Sequence, residues 1–385
     1  MEWAAAGADG GGGSTVNTDQ TLKTWRGCVA AALLTLSAPA LQALGTEPVL
    51  KGLQDPWAVA FLPDGRKLVT QKGGQLLIAN VDGKLSGPLA GLPSISTTSQ
   101  CGLLDVVLDP QFASNQRFFF TFAEPGGGGN STAVGRARLV NDQLEEVRTI
   151  FVQKPKIKSG AHCGSRIVFD GNGHLWVGLG DRFSEKEQVQ NLGNHLGKVV
   201  RIDADGRALA DNPFVGRGGA LPEIWSLGHR NIQGAAAHPV TGELWVSEHG
   251  PQGGDELNRV QAGRNYGWPL VTYGRNYGSG TRIGEEGPKP GFERPLRHWV
   301  PVSVAPSGLA FVTSERYPAW KGNLLMGTLR GQALIRLTLD GNTVTGEERL
   351  LENLARRIRD VRQAPDGWIY VLTDGADAQL LRIRP

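Results

Sequence analysis

The sequence predicts an all-β protein, a six-bladed β-propeller with long loops around the channel mouth. Three observations predict it. An apolar strand, a turn and a second apolar strand recur six times, and in several copies the turn is Asp-Gly or Pro-Asp-Gly. The copies are followed by third strands that end polar, such as Lys198–Asp203 and Ala333–Thr338. Glycine is abundant, with 54 residues against 2 Met, as many short strands joined by tight turns require. Strand, turn, strand, turn, strand is the build of a propeller blade.

The copies run in order along the chain. They begin at Trp57–Thr70 and at Gly102–Pro110, the latter answered by Arg117–Phe122. They continue at Arg166–Gly178 and Gly234–Ser247. The fifth is Gly308–Val312 with Gly322–Gly327 after an insert, and the last is Asp360–Leu372. Their irregular spacing predicts long loops inserted on one face rather than a plain array. Six blades in roughly 335 residues match ~40–50 residues per blade plus inserts. No internal stretch reads as a linker, so residues 46–385 are expected to form one domain.

The start of the chain is different. Residues 1–20 are Gly/Ala/Ser-rich, with Gly10 to Gly13 consecutive, and read as a disordered or misassigned start. Residues 21–43 hold Lys23 and Arg26, an apolar run from Cys28 to Leu36, and Ser37-Ala38-Pro39-Ala40. This is the pattern of a secretory signal. Its apolar core falls short of the ~20 residues of a membrane span, so no stable membrane insertion is expected. Export, to the periplasm or outside the cell, implies an oxidising compartment. Forty basic and 37 acidic residues leave a net charge of +3. That balance, with no basic block, excludes a nucleic-acid partner.

Several short runs are not explained by propeller packing. They are Ser99–Val106, Ser159–Arg166, Gly228–Gly234, Glu248–Pro251, Asp255–Asn258, Asn265–Pro269 and Arg357–Asp360. Taken in this order they resemble the soluble quinoprotein sugar dehydrogenases, the PQQ-dependent aldose sugar dehydrogenase and soluble glucose dehydrogenase family. The resemblance covers about Leu53 to Pro385. It implies PQQ and Ca²⁺ as cofactors and His162 as the general base. An imidazole suits that role, since its ordinary pKa near 6.5 lets it accept a hydroxyl proton at neutral pH. The resemblance also implies that Gln100, Arg230, Asn231, Tyr277, Arg330, Arg357 and Arg359 contact the cofactor. Guanidinium forks match a tricarboxylate ortho-quinone. Gly250 and Pro251 are implied as carbonyl ligands of a cofactor-bound Ca²⁺, and Glu256 and the main chain of Tyr266 as ligands of a second.

Other cofactors are disfavoured. His229, His238 and His249 lack zinc-ligand spacing, and no Gly-rich dinucleotide loop occurs. Ala161 precedes His162 where some glucose-oxidising relatives carry an acid, so glucose specificity is not implied. Cys101 and Cys163 directly follow Gln100 and His162. If those two residues share a pocket, a Cys101–Cys163 disulfide is permitted, with two buried free thiols as the alternative. The expected reaction is oxidation of an aldose at C1 to the lactone. Electrons would pass to a quinone or small electron carrier, from a monomer or homodimer. The competing expectations are a Ca²⁺-dependent, lactonase-like propeller hydrolase and a non-catalytic sugar- or protein-binding propeller.

Overall fold

The computed structural model describes residues 44–385. The expected signal and the Gly-rich start lie outside them. Strand β1 (Gly45–Leu53) opens the chain. Blade 1 has three strands, β2 (Pro56–Phe61), β3 (Lys67–Gln71) and β4 (Gln75–Ala79). Blade 2 is β5 (Leu103–Leu108), β6 (Arg117–Gly126), β7 (Gly129–Val140) and β8 (Gln143–Val152). Blade 3 is β9 (Ile167–Phe169), β10 (Leu175–Gly178), β11 (Lys198–Ile202) and β12 (Ile224–Leu227). Blade 4 is β13 (Ile232–Ala237), β14 (Leu244–Glu248), β15 (Asp255–Val260) and β16 (Arg297–Trp299). Blade 5 is β17 (Pro306–Phe311), β18 (Leu324–Thr328), β19 (Leu334–Asp340) and β20 (Thr343–Leu350). Blade 6 is β21 (Ile358–Gln363), β22 (Ile369–Thr373) and β23 (Ala378–Arg384), completed by β1.

The six-bladed expectation holds, and each copy read from the sequence is the inner hairpin of one blade. The Asp-Gly and Asn-Gly turns explain why these hairpins form. Gly65, Gly173 and Gly367 sit at φ of +85°, +82° and +83°, where a side chain is disfavoured. Asp64 and Asp366 each accept the amide of the residue two positions on, at 3.0 Å, which fixes the turn.

Ring closure uses the chain's own start. β1 pairs antiparallel with β23, with Gly45 opposite Arg384 and Leu53 opposite Ala378. Glu47 of β1 also holds both Arg382 and Arg384. This pairing covers an edge that would otherwise be open. The core lies between blades, where the apolar faces of neighbouring sheets meet. One such layer stacks Phe118, Phe120 and Phe122 of β6 against Leu68, Leu76 and Ile78 of blade 1. No helix among the described residues is long and apolar enough to cross a membrane.

The inner strands β2, β5, β9, β13, β17 and β21 pack side by side around the axis. There the interior is ionic. Arg166 lies 2.9 Å from Asp360 and 3.4 Å from Asp105. Arg362 lies 2.6 Å from Asp105 and 2.8 Å from Asp360. Two arginines and two aspartates make a balanced square, and Arg166, Asp105 and Asp360 are almost wholly buried. Removing one member would leave an uncompensated buried charge. Asp360→Ala is therefore expected to lower unfolding stability by about 3–5 kcal/mol. Chemical denaturation of the purified variant measures the loss.

Candidate active site

Residues at or just before the inner strands point into the channel mouth, and there they enclose a cavity of about 290 Å³. Gln100 enters β5, Cys163 and Gly164 enter β9, Asn231 precedes β13, and Arg357 and Arg359 flank Ile358 at the start of β21. All of them line the cavity, with Trp57 of β2. Ile358 is fully buried on the opposite side of its strand, so alternation along β21 presents both arginines to one space. Their guanidinium Nε atoms donate to the two oxygens of Asp374, at 2.7 and 3.0 Å.

His162 does not itself line this cavity; it is almost fully buried, next to Cys163 and bonded to Gln100, both of which do line it. Its Nδ1 lies 2.7 Å from Asp181 Oδ1. Asp181 also accepts the amide of Phe183 at 2.8 Å and the indole N–H of Trp268 at 2.8 Å. Burial works upward on the Asp181 carboxyl, but the hydrogen bond from His162 and the charge of Arg230 hold it below its ordinary range. An ionised Asp181 places the His162 proton on Nδ1 and leaves Nε2 as the acceptor. Burial pushes the His162 pKa down, the charges of Arg230 and Arg182 add to that push, and Asp181 opposes it. The imidazole is thus neutral at neutral pH, with Nε2 unprotonated. Gly180 makes the pairing possible, because a Cβ there would meet the His162 carbonyl oxygen at 2.0 Å.

The loops bearing Gln100 and His162 are tied together. Gln100 Oε1 accepts the His162 amide at 2.9 Å. Cys101 and Cys163 are disulfide-bonded with Cα atoms 5.8 Å apart, inside the usual range. The structure thus contains the cross-link that adjacency to Gln100 and His162 suggested.

A second, much smaller cavity, about 10 Å³, lies between β14 and the loops after it. Glu248, Glu256 and Tyr266 line it together with Arg230 and Gly250. Burial and the charge of Glu248 push the Glu256 carboxyl upward, and Asn258 Nδ2 bridges the two acids at 2.9 and 3.1 Å. Two carboxylates forced together beside loop carbonyls are a donor set suited to a hard cation. Among the described residues no group of three or more His, Cys, Asp or Glu is gathered for a metal, so carbonyls would supply the remaining oxygens.

Three expected cofactor contacts sit elsewhere. Arg230 does not line the 290 Å³ cavity. It donates to the carbonyls of His249 and Gly250 and lies over Trp268, 5.2 Å from the ring centroid. A buried carbonyl needs a donor, and Arg230 supplies it to the Gly250 oxygen that was expected to be a metal ligand. The Pro251 carbonyl accepts from Ser303 Oγ at 3.2 Å. Tyr277 is 61 % exposed on the long insert between β15 and β16. Arg330 is exposed, and its neighbour Leu329 lines the cavity instead.

Sequence reasoning missed several residues. Asp181 follows Gly-Leu-Gly, and that small-residue approach to an acid was the available signal. Lys72 lines the cavity, and no acid pairs with it among the described residues. His249 also lines the cavity, donating from Nε2 to the Pro306 carbonyl at 2.8 Å. Burial, with the charges of Arg359 and Arg230, pushes its pKa down to about 3, so it stays neutral.

Comparison with known proteins agrees with this layout. The family profile described as Glucose / Sorbosone dehydrogenase matches residues 53–382. The chain belongs to that family. It is 43% identical over 364 residues to the aldose sugar dehydrogenase YliI of Escherichia coli K12, covering 93% of this chain and 96% of that one. The solved apo-form of the soluble aldose sugar dehydrogenase from Escherichia coli superposes with a TM-score of 0.86 at 42% identity, over 89% of this chain and all of that one. The PQQ-bound aldose sugar dehydrogenase of Streptomyces coelicolor superposes with a TM-score of 0.72 at 28% identity, over 89% and 98% of the two chains. As a member of this family the protein is an oxidoreductase.

The His162–Asp181 pair makes a direct prediction. In ¹⁵N NMR, the His162 imidazole should titrate below pH 6.5, because burial disfavours its charged form. In Asp181→Asn it should titrate lower still, since the carboxylate that raises it is gone. A His162 pKa above 6.5 in the native protein would contradict the assignment.

Proposed function

We propose that the protein oxidises aldose sugars at C1 to the lactone, with PQQ in the 290 Å³ cavity and Ca²⁺ as its metal. The observation that carries this reading is a neutral, acid-oriented imidazole beside an axial cavity edged by Lys72, Arg357 and Arg359. The lining holds three cations and one carboxylate, Asp374, a surplus of positive charge that suits an anionic cofactor. Gln100, Asn231 and Gln233 add neutral polar groups to the same wall.

When bound, PQQ supplies the hydride-accepting quinone, and Ca²⁺ polarises it as a Lewis acid. The chain's own part is to hold the sugar and move one proton. His162 Nε2 takes the proton of the C1 hydroxyl, and Asp181 stabilises the imidazolium that forms. The carbonyls of Gly250 and Pro251 would hold the cofactor-side ion, in competition with Arg230 for the Gly250 oxygen. Glu256, Glu248 and the main chain of Tyr266 would hold the second ion. Electrons taken from the sugar would leave to a quinone or small electron carrier. The Cys101–Cys163 bond supports the export expected from residues 21–43, because such bonds persist in oxidising compartments. A hydrolase would have no use for the cationic cavity.

Dye-linked oxidation of aldoses by the purified protein tests the reading. Activity should appear only with both PQQ and Ca²⁺ added. His162→Ala should lower kcat by about 10²–10⁴-fold while still binding PQQ by absorbance. Absence of PQQ binding to the native protein would overturn the proposal. The second ion has its own test. Ca²⁺ at ~100 times its Kd should stabilise the apo-protein by about 2.7 kcal/mol, read as a rise in Tm, and Glu256→Gln should abolish most of that rise.

A further inference from the structure

Phe183 is exposed where an apolar side chain gains nothing for the fold. It is 55 % exposed, two residues after Asp181. Its ring meets the His162 imidazole edge-on, with centroids 5.1 Å apart and planes at 82°. The backbone that carries it is unusual. Arg182 and Phe183 are consecutive non-glycine residues at φ of +60° and +67°, a conformation that costs free energy and is rare for a bulky side chain.

Specific contacts maintain that conformation. Asp181 Oδ1 accepts the Phe183 amide at 2.8 Å. The Arg182 side chain is buried, with Nη2 donating to Asn130 Oδ1 and to the Ser159 carbonyl, both at 2.5 Å. Arg182 is thereby drawn inward while Phe183 is turned out to solvent. The acid that orients the base also fixes the turn that displays the ring, so base and ring keep a constant relation.

We propose that Phe183 is a substrate-contact residue, whose ring takes the C–H face of an aldose bound with its C1 hydroxyl at His162. This rests on the sugar oxidation proposed above. A pyranose presents C–H groups on its faces and hydroxyls around its rim. The faces of an aromatic ring carry negative charge that attracts such C–H groups. Hydroxyl partners alone would hold the rim, and the ring would hold the face of the sugar. Phe183 would then favour sugars with an uninterrupted C–H face over small or linear polyols.

Steady-state kinetics of the reconstituted holoenzyme, varying aldose and dye separately, tests this. Phe183→Ala should raise KM for the aldose about three- to ten-fold, the range expected for one aromatic contact, with kcat nearly unchanged. Phe183→Tyr and Phe183→Trp should restore it, and Phe183→Leu should not. Titrating an aldose into the apo Phe183→Trp protein should change tryptophan fluorescence beyond the change seen in the native chain, a readout independent of turnover. Four results would overturn the proposal. They are an unchanged KM for the aldose, full rescue by Leu, a rise in KM for the dye instead, and a shift in the acidic limb of kcat/KM with KM unmoved. The last would mean that the ring only props His162. If the native holoenzyme oxidises no aldose, the function proposed above fails rather than the role of Phe183.

Discussion

The buried ion square on the propeller axis is the constraint on which the rest of the molecule depends. Arg166, Arg362, Asp105 and Asp360 come from three blades; their remaining bonds reach blades 1 and 4 directly, and blade 5 is joined through the Arg359 carbonyl that Arg166 also bonds. The Val59 amide of blade 1 donates to Asp360 at 3.4 Å. Arg166 Nε donates to the Gln233 carbonyl of blade 4 at 2.8 Å and its Nη2 to the Arg359 carbonyl at 3.1 Å. Ser307 of blade 5 donates to that same carbonyl at 2.6 Å. Such a cluster is a poor source of net stability, because desolvating four charges costs about as much as their attraction returns. What it supplies is register. An inner strand slipped by one residue would strand a charge in the core.

That register sets the cavity. Because the Arg359 peptide carbonyl is fixed by Arg166 and Ser307, its side chain leaves the opposite side of β21, toward Asp374 and the channel mouth. Arg359 Nη1 also donates to Gln233 Oε1 at 3.2 Å, which joins the ion square to the cavity wall. The square is neutral while the cavity above it carries surplus positive charge. The fold therefore places charge balance where the chain must be rigid and imbalance where an anion is to be bound.

Much of this was legible in the sequence, for a physical reason. A propeller forces whatever precedes an inner strand to face the axis, which agrees with the family resemblance that singled out His162 ahead of the hairpin at Arg166–Gly178. Gln100, Asn231, Arg357 and Arg359 follow by the same rule. Tyr277 and Arg330 are not adjacent to an inner strand start. One rides a long insert, and the other follows the residue that actually faces the cavity. Arg230 obeys the rule in its backbone, but its long side chain is free to choose between the cavity and an unpartnered carbonyl, and periodicity cannot decide that. Asp181 was missed because it follows β10, the second strand of blade 3, where the rule for residues preceding an inner strand does not apply. Its partnership with His162 depends on a close backbone approach that only Gly180 permits.

The His162 loop shows why so many restraints converge on a short stretch. His162 itself sits at φ +48° and Ser165 at +107°, conformations that persist only when the surroundings over-determine them. Four independent ties do so here. Gln100 accepts the His162 amide, Thr132 Oγ1 donates to the Cys163 carbonyl, Arg182 reaches the Ser159 carbonyl, and the disulfide joins Cys163 to Cys101. The disulfide spans a sequence separation of 62 residues, for which the chain-entropy description gives about 4 kcal/mol against the unfolded chain. A flexible loop would let the imidazole rotate away from Asp181 and toward water, where it would regain an ordinary pKa and lose its fixed tautomer. Holding the loop in a strained form keeps Nε2 aimed at one place. The strain is thus tolerated for what it positions, and the cross-link, the ion square and the Asp181 turn act together to prevent its release.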